Sequence, residues 1–80
     1  MEVIVYSTKS CGYCEQQKEF LLANGVNFQE VDIRENEDNF KEFKALGGLG
    51  TPLTVKKENG KITSKIMGFN KKKLSEEILV

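Results

Sequence analysis

The chain has no histidine, a single proline and only two cysteines in 80 residues. Without histidine, the commonest group for acid–base catalysis near neutral pH is missing. Metal binding is short of ligands too. Zinc takes four, so two cysteines would need a second copy of the chain or carboxylates. Long apolar runs are also missing. Val3–Tyr6 is the first strongly apolar stretch, far below the roughly 20 residues of a membrane span. It follows Glu2 rather than a basic segment, so it does not read as an export signal. The expected compartment is a reducing, cytoplasmic one, where paired cysteines are more often catalytic or metal-binding than structural.

Net charge is lacking as well: 12 basic and 12 acidic residues cancel. No partnership with nucleic acid or a membrane surface is expected. The charges are unevenly placed, however. From Lys56 to Lys73 there are seven lysines and one acid, Glu58. Such asymmetry serves either solubility or a partner surface. With 39% hydrophobic and 30% charged residues, the composition is that of a globular protein. The length predicts one domain over residues 1–80 with a thin core.

The pattern along the chain predicts β-α-β-α-β-β-α. Glu2–Ser7 reads as a strand covered on both faces, since its centre is continuously apolar. Cys14 to about Asn24 reads as a helix capped by Ser10 or Cys11 and stopped at Asn24-Gly25. Asn27–Ile33 reads as a second strand. Asn36 caps a second helix with Glu37 and Asp38 in its first turn. Phe40, Phe43 and Leu46 would form its buried stripe, and Gly47-Gly48 would end it. Pro52–Lys57 and Lys61–Met67 read as a hairpin around Asn59-Gly60. Asn70 caps a last helix with Leu74, Ile78 and Leu79 inward. The simplest closure is an α/β fold: a mixed four-stranded sheet with helices on its faces.

Chemistry concentrates at Cys11-Gly12-Tyr13-Cys14. A C-x-x-C that follows a strand and opens a helix is the context of a redox motif. Only a thiolate attacks a disulfide, and a helix N-terminus stabilises an anion. Cys11 is therefore the expected nucleophile and Cys14 the resolving thiol. A structural disulfide is the weaker reading, because so short a loop constrains the unfolded chain little. Lys9 either lowers the Cys11 pKa, greets an anionic group, or is an ordinary surface lysine. Tyr13 is part packing residue and part substrate contact. Thr51-Pro52 begins a strand. A cis bond there would offer the Thr51 backbone to an extended substrate, and a trans bond would simply start the strand. Gly68-Phe69-Asn70 hands over to a helix whose first turn is Lys71-Lys72-Lys73. Cations are unfavourable there, which suits a carboxylate or an acidic partner. The run Gly47-Gly48-Leu49-Gly50 lacks the context of a phosphate loop.

Taken together, these residues resemble the glutaredoxin family of the thioredoxin superfamily. The resemblance covers essentially the whole chain, with C-G-Y-C similar to the family's C-P-Y-C. It implies a thioredoxin fold and a monomer that reduces protein or small-molecule disulfides as an electron carrier, with no bound cofactor and no metal. It also implies a cis bond at Thr51–Pro52, and substrate or thiol contacts at Lys9, Tyr13, Thr51, Pro52, Gly68, Phe69 and Asn70. Two places depart from the family pattern. Thr8 stands where a lysine usually precedes the nucleophile by three. Met67-Gly68-Phe69-Asn70 lacks the family's Gly-Gly and aspartate, and is similar instead to the redoxins that supply ribonucleotide reductase and are recharged by thioredoxin reductase. The expected electron source is thus glutathione or a flavoprotein reductase. An alternative from another class is an iron–sulfur or metal carrier using Cys11 in a dimer. A third is a binding module gated by oxidation of the pair, with its partner surface around Lys71–Lys73.

Overall fold

A computed structural model describes residues 1–79. Its elements are β1 (Glu2–Ser7), α1 (Gly12–Ala23), β2 (Gln29–Asp32), α2 (Glu37–Ala45), β3 (Leu53–Glu58), β4 (Lys61–Met67) and α3 (Lys71–Glu77). They form one mixed sheet in the order β2-β1-β3-β4. β1 runs parallel to β2 and antiparallel to β3, and β3 is antiparallel to β4.

The continuous apolar run of β1 has its explanation in two cores. Side chains alternate across a strand. Val3 and Val5 pack on one face with Leu21 of α1, Ile66 of β4, Leu74 of α3 and Ile78 at the C-cap of α3. Ile4 and Tyr6 pack on the other face with Ile33, Phe43 of α2, Leu53 and Val55. A strand with a helix layer on each side has no solvent face to keep polar.

Local signals set the element ends. Asn36 and Asn70 cap α2 and α3, accepting from the N–H of Asn39 and Lys73. Asn59 and Gly60 both have positive φ, 54° and 78°, as a tight hairpin turn of this hand requires.

Three expectations need correction. α1 starts at Gly12 rather than Cys14, because Cys11 is the residue that caps it. β2 covers Gln29–Asp32 rather than Asn27–Ile33. It is an edge strand, and the parallel ladder with β1 begins only at Ile4–Gln29. Phe40 is 47% exposed whereas Phe43 is 3% exposed, so the stripe on α2 is not buried throughout. Each step of three residues falls about 60° short of a full turn, which leaves Phe43 under the sheet and swings Phe40 outward. No described helix is long and apolar enough to cross a membrane.

Candidate active site

The buried strand β1 delivers the chain to one end of the sheet. There Thr8–Ser10 turn it into α1. Cys11 closes the turn, with its N–H donating to Thr8 O at 3.4 Å. As the N-cap, Cys11 has extended backbone and its Sγ accepts from the Cys14 N–H at 3.1 Å. This is the cap role that Ser or Asp oxygen usually fills. A sulfur in that position receives a backbone donor and the positive end of the helix together.

The cis-proline loop supplies the opposite wall. Thr51–Pro52 is cis, and the Cys11 thiol donates to Thr51 O at 3.6 Å. Pro52 is buried. Its carbonyl accepts from the Gly68 N–H at 2.8 Å, which fastens the turn before α3 to the same loop. Two distant parts of the chain thus meet the motif through Pro52.

Both cysteines are free thiols, Cys11 partly exposed and Cys14 enclosed. Their environments pull them apart. For Cys11, partial burial alone would raise the pKa. That is outweighed by hydrogen bonds from the Cys14 thiol, the Thr51 side chain and the backbone N–H groups of Cys14 and Tyr13, so the thiol lies below its ordinary 9.0. For Cys14, burial is the main cause of a rise, the Cys11 sulfur adds to it, and the thiol is pushed up to about 11.

The remaining expected site residues take varied positions. Tyr13 stands 65% exposed beside the motif. Lys9 is exposed and lines an open cleft of about 600 Å³ on the β2 side of the motif, together with Glu15, Lys18, Glu30 and Arg34. It is not among the main influences on Cys11. Phe69 packs edge-on against Phe20 at 6.1 Å, and Lys71 Nζ sits 5.8–5.9 Å from both ring centroids. Asn70 spends its Oδ1 on the Lys73 N–H at 3.1 Å, so its amide oxygen is committed to the cap.

Two groups near the motif were not singled out from sequence. Ser7, at the end of β1, donates to Glu30 Oε2 at 2.9 Å, and Lys18 bridges Glu30 and Glu15 at 2.7 and 2.8 Å. Lys18 lowers the Glu30 pKa, with burial opposing and Ser7 assisting. This network ties α1 to the sheet at the point where the motif loop leaves it. The other is Gln17, fully enclosed and donating through Nε2 to the Thr54 hydroxyl. Its signal was the spacing 14, 17, 21 of the buried face of α1, which places a polar residue on an inward stripe.

The glutaredoxin family profile matches residues 3–55, from β1 through the motif to β3. The chain belongs to the glutaredoxin family. Among its relatives is the glutaredoxin-like 8.6 kDa protein of the rubredoxin operon of Clostridium pasteurianum, 31% identical over 92% of this chain and 93% of that one. N-acetyl-S-hydroxy-L-cysteine reductase of Bacillus subtilis is 40% identical over 46% of this chain, and the match spans 40% of that protein's length. Among solved structures, a glutaredoxin of Archaeoglobus fulgidus superposes with TM-score 0.77 at 30% identity, covering 96% of this chain and 85% of that one. NrdH-redoxin of Escherichia coli, a glutaredoxin-like protein with a thioredoxin-like activity profile, superposes with TM-score 0.82 over 96% and 95% of the two chains. At 16% identity that likeness is one of fold, and the fold is the thioredoxin fold. The family and the cysteine pair make this glutaredoxin-family chain a thiol–disulfide oxidoreductase in the broad sense.

Proposed function

We propose that this glutaredoxin-family protein is a dithiol electron carrier that reduces disulfides through Cys11 and Cys14. The observation that carries the proposal is the opposed environment of the two sulfurs. One caps a helix with its pKa lowered, and the other is enclosed one turn further in with its pKa raised. Such a pair has a ready nucleophile and a thiol held in reserve.

The steps follow from that asymmetry. The Cys11 thiolate attacks one sulfur of the substrate disulfide. A Cys11–substrate S–S bond forms, the substrate S–S bond breaks, and the first thiolate leaves. Cys14 then loses its proton and attacks Cys11 Sγ. The second substrate thiolate leaves and Cys11–Cys14 remains as the oxidised pair. The backbone of Thr51 is the natural edge for an extended substrate segment, with Tyr13, Pro52 and the Gly68–Asn70 turn as its borders and Lys9 on the far side.

The substrates we propose are disulfide-containing proteins and small disulfides, met by a monomer in a reducing cytoplasm. Two electrons and two protons, from two molecules of glutathione or from a flavoprotein reductase, would return the pair to its dithiol state. Asn70, committed to its cap, and Lys71–Lys73 replace the family's acidic corner, which favours the flavoprotein. The test offers the oxidised protein glutathione with glutathione reductase and NADPH, or thioredoxin reductase with NADPH, while it turns over a disulfide substrate. Turnover with the flavoprotein alone is expected. Turnover with glutathione alone would reverse the assignment of the reductant. Full turnover by Cys11→Ser would overturn the proposed function.

A further inference from the structure

The sheet has a point where the chain parts to its two faces. β1 and β2 are parallel, and their carboxyl ends are level at Ser7 and Asp32. β1 leads into α1, which packs on one face, and β2 leads into α2, which packs on the other. Adjacent parallel strands whose connections leave to opposite faces open a crevice at their carboxyl ends, and ligands of open α/β sheets settle there. The cleft of about 600 Å³ lies at this point. One bank is the motif loop Thr8–Ser10, and the other holds Asp32, Arg34 and Glu35.

Every residue lining the cleft is polar or charged, so an apolar ligand or an aromatic ring has nothing to rest on. Lys18, on the α1 side, is spent on Glu15 and Glu30. Lys9 and Arg34, and likewise Asp32 and Glu35, have no ion-pair partner among the described residues. Asp32 gives one oxygen to the Arg34 N–H at 2.9 Å and keeps the other. A dianion would meet the free carboxylates, and a dication the free cations. A metal ion is no better served, since no group of three acids or thiols is placed to hold one among the described residues. Free charges of both signs match a ligand that carries both, an ammonium and a carboxylate close together.

The cleft adjoins the reactive sulfur. Cys11 is the next residue after Ser10, and Glu15 on the α1 wall is about 6 Å along the helix from it. The Cys11 thiol meets Thr51 on the opposite side of the motif.

We propose that this cleft is a specificity subsite for amino-acid disulfides, molecules such as cystine whose two ends each carry an ammonium and a carboxylate. With the substrate sulfurs at Cys11, one end lies in the cleft and the other runs past Thr51. Lys9 and Arg34 take the carboxylate, and Asp32 and Glu35 the ammonium. The substrate S–S bond breaks and the Cys11–Cys14 bond forms. Two electrons and two protons pass from the dithiol to the substrate, and two molecules of the amino-acid thiol leave. The subsite serves the proposed disulfide reductase and rests on that reading of Cys11 and Cys14.

Four small disulfides separate the charges: cystine with both, dithiodipropionate with carboxylates, cystamine with ammoniums, and hydroxyethyl disulfide with none. Reduced protein is mixed with each, quenched in acid, and its remaining thiols are alkylated and counted by mass spectrometry. Each rate constant is divided by that of dithiothreitol with the same disulfide, which removes intrinsic reactivity. Wild type should favour cystine over hydroxyethyl disulfide about tenfold, and over the two singly charged types by less. Arg34→Gln should lower the ratios to hydroxyethyl disulfide for cystine and dithiodipropionate but not for cystamine. Glu35→Gln should lower them for cystine and cystamine but not for dithiodipropionate. Both side chains are exposed, so the variants keep the core, and their melting temperatures check this. A wild type without the preference for cystine, or ratios that both variants leave unchanged, would overturn the subsite and leave the reductase standing. Oxidation by insulin but by none of the four would do the same. Wild-type protein oxidised neither by the four nor by insulin would instead overturn the reductase, and the subsite with it.

Discussion

Cys11 and Cys14 are separated by two residues of chain and by the boundary between surface and core. That difference has a direct chemical consequence. A thiol alkylating reagent should modify Cys11 first, with a pH midpoint below the ordinary 9.0, while Cys14 stays protected at neutral pH. The sign follows from the lowered pKa: as pH falls through the Cys11 midpoint, its thiolate is protonated and the rate drops. Mass spectrometry of the alkylated protein reads the order of modification. Equal labelling of both at neutral pH would contradict the environments described. Thr51 presents a further residue-scale case, since its side chain is among the groups lowering the Cys11 pKa. Thr51→Val keeps the shape and removes the hydroxyl, so the alkylation midpoint of Cys11 should move upward. An unchanged midpoint would leave the stabilisation to the backbone N–H groups alone.

At the scale of elements, the site depends on how α1, the cis-proline loop and α2 are held. α2 passes to that loop through Gly48, which is buried against the Phe43 ring. A Cβ there would lie 2.5 Å from the ring atoms, and Phe43 is itself fixed against Tyr6 at 6.2 Å between centroids. Gly48→Ala should therefore destabilise the fold by about 1–3 kcal/mol through overpacking, read as a lower midpoint in denaturant. The last helix depends on its cap in a similar way. Asn70→Ala removes the Oδ1 acceptor of the Lys73 N–H and should cost about 0.5–2 kcal/mol. The same variant tests whether Asn70 acts only in the cap. Loss of stability without loss of disulfide turnover at low temperature is the expected result. Secondary structure was widely readable in advance, because caps, turn residues and apolar periods are local. The Asn59-Gly60 turn and the Asn36 and Asn70 caps act over a few residues and sit where expected. Two of the lapses, Phe40 on α2 and the bounds of β2, fall where burial and pairing depend on which neighbour lies opposite; the third, the start of α1, turned on Cys11 taking the cap.

At the scale of the whole molecule, the uneven charge acquires a location. Lys71, Lys72 and Lys73 are exposed in the first turn of α3, with no acid beside them there. That turn is connected through Gly68 and Pro52 to the motif, and Lys71 is steadied over Phe20 and Phe69. A protein substrate with acidic residues flanking its disulfide should be reduced faster at low salt, with kcat/KM falling as ionic strength rises. Charge reversal by Lys72→Glu/Lys73→Glu should flatten that salt dependence and leave a small neutral disulfide unaffected. An unaltered salt dependence would mean that the lysines serve solubility alone.

The amino-acid sequence by itself determined the order of elements, the redox motif at a helix start and the family, because each is written in short-range patterns. Backbone geometry, capping and the spacing of Cys11 and Cys14 need only a few neighbouring residues. Only the tertiary structure decided that Thr51 lies against Cys11, that Gly68 is bonded to Pro52, and that Gln17 faces Thr54. Those contacts join positions 37 to 40 residues apart in the case of Gln17–Thr54 and Cys11–Thr51. No local preference sets such distances. They follow from the strand order β2-β1-β3-β4, which brings β3 beside β1 and so sets the cis-proline loop against the helix that β1 delivers.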